Sequence, residues 1–122
     1  MNIDSPTARV PYMDHLSPGL RMMSATRHLE NELARPDGGG FASYFDRFGG
    51  SVALKAMQGY RLIGAECHAE IVEAALALFL CGDHDPSEYR VLGDAFRDLG
   101  PPRPLKLEYV EAHPEEFATL GH

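Results

Sequence analysis

The chain has 122 residues, 44% of them hydrophobic and 24% charged, with a net charge of −7. That is the length of one domain with a single modest core, and the composition of an ordinary globular chain. The acidic excess disfavours direct binding to phosphate backbones, and no apolar run approaches the ~20 residues that cross a bilayer.

The first residues, Met1 to Pro6, lack a basic region followed by an apolar one, so no signal peptide is expected and a cytoplasmic location is. Two cysteines, Cys67 and Cys81, do not make a disulfide framework. Both sit beside apolar residues and are expected to be reduced and buried. The charge is uneven along the chain: residues 81–122 hold nine acids and four bases, which is −5 of the total −7.

Residues 1–16 read as an extended arm, because Pro6 and Pro11 interrupt any helix, and residues 17–122 read as one helical domain. Ser17-Pro18 is a helix start, with a capping hydroxyl followed by a proline at the first helical position. Leu20, Met23, Leu29 and Leu33 then mark an apolar face, with Arg27, Glu30 and Glu32 expected to point away from it. Pro36-Asp37-Gly38 is a stop signal.

The next stretch is unusual. Gly38, Gly39 and Gly40 precede Phe41, Tyr44, Phe45 and Phe48, and Gly49-Gly50 close it. The four rings are spaced i, i+3, i+4, i+7, so a short helix puts them on one face, and buried core is the expected fate of that face. Ser51 is the expected cap of the next helix, striped by Val52, Ala53, Ala56, Met57, Tyr60 and Ile63. Gly59 suits close helix packing and Gly64 a stop. Ala65 to Cys81 is apolar nearly all round and is expected to be the central buried helix. Glu66, Glu70 and Glu73 at its first turns complement the helix dipole. A helix from Pro86 or Ser87 to about Leu99 should turn Tyr89, Leu92, Phe96 and Leu99 inward. A last helix, about Leu105 to His113, is followed by a turn that returns Phe117 and Leu120 to the core. No strand-like alternation is present, so the expected fold is all-α: a compact single-domain bundle of five to six helices around a short aromatic helix.

Catalytic patterns are absent. The glycines at 38–40 are followed by no lysine at phosphate-loop spacing, and no serine or cysteine lies in a nucleophile setting. Cys67-His68 and Cys81-x-x-His84 invite a zinc reading, but adjacent residues on a helix diverge by about 100° and do not share an ion readily. No catalytic residue, metal or cofactor is therefore assigned. The remaining feature is acid: Asp83, Asp85, Glu88, Asp94 and Asp98, with Arg90 and Arg97 interspersed, then Glu108, Glu111, Glu115 and Glu116. These nine are the candidate partner-binding residues.

Gly39-Gly40-Phe41-x-x-Tyr44-Phe45-x-x-x-Gly49, the segment Leu62-Ile63-Gly64-Ala65, the alanine-rich helix ending at Phe79, and the closing Tyr109-Val110-x-x-His113-Pro114-Glu115-Glu116-Phe117 together resemble an all-helical bacterial domain family. Its best-understood relative is an acidic DNA-mimic protein. The resemblance covers roughly residues 17–120, with Gly38, Ser43 and Arg47 departing from the residues usual there. It implies a non-enzymatic module whose carboxylates meet the basic or nucleic-acid-binding surface of a protein partner, without direct contact to nucleic acid or membrane. Two other readings stand beside it. One is an inhibitor or immunity protein of toxin-neutralising, anti-phage or anti-CRISPR type; the other is a small metal-dependent hydrolase using His68 and His84. The apolar content is also compatible with a homodimer.

Overall fold

The computed structural model describes residues 15–35, 40–82 and 85–117. Most of the expected arm at 1–16, Gly38 and Gly39, Asp83 and His84, and Leu120 lie outside the described residues. The described chain is all-α: α1 (Pro18–Ala34), α2 (Gly40–Leu62), α3 (Glu66–Cys81), α4 (Pro86–Leu99) and α5 (Arg103–Ala112), closed by a 3-10 turn at Pro114–Glu116.

α1 begins as its sequence dictates. The Ser17 hydroxyl accepts from the Leu20 amide at 3.3 Å, and Pro18 occupies the first turn. The same hydroxyl donates to the carbonyl of Glu116 at 2.7 Å, and the Gly19 amide donates to the Glu116 carboxylate at 2.7 Å. The last turn is thereby fastened to the first helix across almost the whole chain.

α2 is the centre of the bundle, packed chiefly on α1 and α3 and also on α4. It is one element broken at Gly49, whose φ of 73° and ψ of −171° no β-carbon tolerates well. The break lets the aromatic turn and the second half of α2 take different directions. Gly49 is the only non-helical position inside α2, so Ser51 is helical and is not the cap expected of it; its hydroxyl instead accepts from Lys55 at 3.2 Å. Phe41, Tyr44 and Phe45 are buried, and Phe48 is half-buried against His28. The rings also meet those of other elements: Phe41 stands edge-on to Phe96 at 6.1 Å, and Phe45 stacks on Phe79 at 4.5 Å. In the second half, Gly59 lies under α1 so closely that a β-carbon would stand 2.8 Å from Met22 Cγ.

The central-helix expectation for Ala65–Cys81 is wrong. α3 buries one side only, through His68, Ala69, Val72, Ala75 and Leu76, while Ala74, Ala77 and Cys81 are exposed and Leu80 is 66% exposed. Its alanines report helix propensity, in which alanine ranks first, rather than burial. Cys67 and Cys81 are accordingly exposed rather than buried. α4 starts on an Asp85 cap and turns Tyr89 and Phe96 inward, but Leu99 in its last turn is 44% exposed. α5 begins two residues before the expected Leu105. Phe117 does return, half-buried and edge-on to Tyr109.

Candidate functional site

The charge of the molecule is divided along the chain. From Ile63 onward the chain carries twelve acidic and four basic residues, against six acidic and seven basic before it. Among the described residues that acid lies on α3, α4, α5, the Asp85 cap and the closing turn.

The predicted acidic residues do not all face solvent alike. Glu88, Asp98, Glu108, Glu111 and Glu115 are exposed. Asp94 is exposed but holds Arg97 at 2.5 Å, one turn along α4. Asp85 is exposed and caps α4, its carboxylate accepting from the Ser87 amide at 3.0 Å and hydroxyl at 2.8 Å. Those hydrogen bonds from Ser87 hold its carboxyl below the usual aspartate range. Glu116 is turned inward: half-buried, its Oε1 accepts from Gly19 and from the Tyr109 hydroxyl at 2.8 Å. Burial, and then this carboxylate, push the Tyr109 phenol up to about 12. Glu116 is therefore a structural clasp and drops out of the exposed set. Asp83 lies outside the described residues.

The fold adds acids to which the sequence assigns only a helix-dipole role. Glu66, Glu70 and Glu73 stand at i, i+4, i+7 on α3, and all three are exposed. That spacing alone places them along one ridge. Glu73 reaches Arg61 of α2 at 2.8 Å across an exposed pair, worth little at the surface.

Two carboxylates expected to point outward are instead internal. Glu32 is 3% exposed, covered by the chain beyond it. Ser43 donates a short hydrogen bond to it, Arg47 Nη1 lies 3.1 Å from Oε1, and Arg35 Nη1 lies 3.2 Å from the same oxygen. Burial opposes its charge, but the Ser43 and Arg47 hydrogen bonds and the two guanidinium charges outweigh it and hold the carboxyl below its ordinary value. Glu30, half-buried, accepts from the Tyr60 hydroxyl at 2.7 Å and from Lys106 at 2.9 Å. Burial and then this carboxylate raise the Tyr60 phenol far above its ordinary value. Both clusters tie α1 to elements distant in sequence, and helical periodicity reveals neither because the partners arrive from elsewhere.

Of the zinc candidates, Cys67, His68 and Cys81 form no metal-holding group, and His84 lies outside the described residues. His68 is buried, stacked on Tyr60, with Nε2 2.7 Å from the Gly100 carbonyl, while Cys67 faces solvent. Among the described residues no three His, Cys, Asp or Glu side chains are placed to hold a metal ion. No helix of the described residues is long and apolar enough to cross a membrane.

Comparison with curated proteins and with solved structures found no match. A family model does match, and its span takes in the glycine–aromatic turn of α2, the α3 ridge and the closing Tyr109–Phe117 segment. Matched over residues 14–120, the chain belongs to the DMP19-like protein family.

Proposed function

We propose that the chain is a non-enzymatic, cytoplasmic binding module of the DNA-mimic kind, using the exposed carboxylates of α3, α4 and α5 to occupy the basic, nucleic-acid-binding face of a protein partner. The observation that carries this reading is the concentration of acid in the C-terminal half of the sequence, where Glu66, Glu70, Glu73, Glu88, Asp94, Asp98, Glu108, Glu111 and Glu115 are all exposed. The partner of the DMP19-like module is then a protein, and the encounter is steered by charge.

Spacing supports mimicry by several helices rather than one. At ~1.5 Å rise per residue, the α3 ridge presents a charge every ~4.5–6 Å of helix axis, sparser along the axis than the one charge per ~3.4 Å of a single DNA strand. Matching a duplex face therefore requires the ridges of α3, α4 and α5 together. The buried Glu30 and Glu32 contribute nothing to that face, since their charges are met inside.

The test is affinity capture from a bacterial lysate followed by competition. A captured protein that binds duplex DNA, and that releases DNA as this chain is added, is the expected result. Capture should weaken as salt rises. A captured partner that binds DNA and this chain simultaneously, without competition, refutes the reading.

A further inference from the structure

We infer that a ring-walled cleft at the junction of α2, α3 and α4 receives a single arginine side chain from the basic partner, an inference that rests on the proposed function. The cleft has a volume of about 300 Å³ and is lined by Ala42, Phe45, Asp46, Phe79, Pro86 and Tyr89. That is the low end of the range of ligand pockets, enough for one extended side chain and too small for a folded segment.

Its chemistry is that of a cation receptor. Phe45 and Phe79 stack at 4.5 Å with their planes 5° apart, and Tyr89 stands 5.9 Å from Phe45. Asp46, exposed at the rim, is the one charged side chain among the described residues that line the cleft. Aromatic rings attract a cation through their quadrupoles, and a carboxylate beside them adds a directional acceptor. Arginine fits better than lysine, because its planar guanidinium is weakly hydrated and stacks on rings.

The neighbouring cleft restricts the residues flanking that arginine. It shares Ala42, Pro86 and Tyr89 but carries Arg90 and Arg97, of which Arg97 is paired with Asp94 in the same lining. A second cation placed next to the first would meet the net positive charge that Arg90 leaves there. The site therefore selects an isolated arginine over a run of basic residues.

The test is an NMR titration of the full chain with N-acetyl-arginine methylamide, with the uncharged citrulline analogue as control. Saturable shifts centred on Ala42, Asp46 and Tyr89, absent with citrulline, are expected. Asp46→Asn should weaken binding by about fivefold, the loss of one exposed charge pair. Ala42→Arg, at an exposed position, places a cation in the cleft and should abolish binding while leaving the folded spectrum intact. Equal shifts with citrulline, or unchanged binding in both variants, overturn the inference. Partner capture separates this failure from failure of the proposed function. If capture and DNA competition persist undiminished in Ala42→Arg, the cleft is not used and the acidic face alone suffices. If wild-type capture shows no DNA competition, the mimic reading falls whatever the cleft binds.

Discussion

Glu32 is the most exacting place to perturb this fold. Its carboxylate is 3% exposed and receives Ser43, Arg35 and Arg47, so it joins the end of α1 to the aromatic turn of α2. Hydrogen bonds to a charged group contribute about 1.5–3 kcal/mol. The two arginines are 43% and 54% exposed, so after substitution they regain water and their share must be discounted. Glu32→Ala should then cost about 2–3 kcal/mol, chiefly the Ser43 bond and the buried volume. Glu32→Gln, which keeps the shape and an acceptor, should cost about 1–2 kcal/mol. Because the folded-state pKa lies below the ordinary glutamate value, the charge contribution is complete above that ordinary value and is lost as pH falls through the folded pKa. Urea unfolding monitored by circular dichroism, repeated at neutral and acid pH, reads both effects. Glu32→Gln should lose the part of the acid-side decline that this carboxyl produces. A Glu32→Ala variant that unfolds within ~0.5 kcal/mol of wild type, the range of ordinary surface changes, would refute this role for the carboxylate. So would an Arg47→Ala variant that costs as much as Glu32→Ala.

Three further outcomes are expected. Gly59→Ala places a β-carbon 2.8 Å from Met22 Cγ and 3.1 Å from its Cα, so α1 and α2 must separate; a loss of about 1–3 kcal/mol by thermal unfolding is expected. Tyr44 and Tyr60 should respond oppositely to phenylalanine. The Tyr44 hydroxyl is buried without a hydrogen-bond partner among the described residues, so Tyr44→Phe should be neutral or stabilising, whereas Tyr60→Phe deprives Glu30 of a donor and should cost about 1 kcal/mol in the same unfolding assay. Cys67 and Cys81 are exposed, so both thiols should react with a chromogenic disulfide in the native protein without a slow unfolding-limited phase.

The local features of this chain were legible without coordinates. The Ser17-Pro18 start and the glycine break at Gly49 arise from steric and capping rules acting within a few residues, while the spacing of Phe41, Tyr44 and Phe45 and the missing side chain of Gly59 mark positions that packing then covers. The all-α class comes from the same periodicities, and the acidic bias of the last third is plain from composition. Which helix lies at the centre was not legible. An alanine-rich, apolar α3 mimics a buried helix in sequence, yet the bundle places α2 between α1 and α3, because only α2 carries enough large side chains to fill both contacts. The fate of individual carboxylates was equally hidden. Glu32 and Glu116 look like surface acids until Arg47, Ser43, Gly19 and Tyr109 are brought to them by packing. Helical spacing says which residues share a side of one helix; whether a charge on that side meets solvent or a buried donor depends on chain segments far away in sequence, and that was decided by the tertiary structure alone.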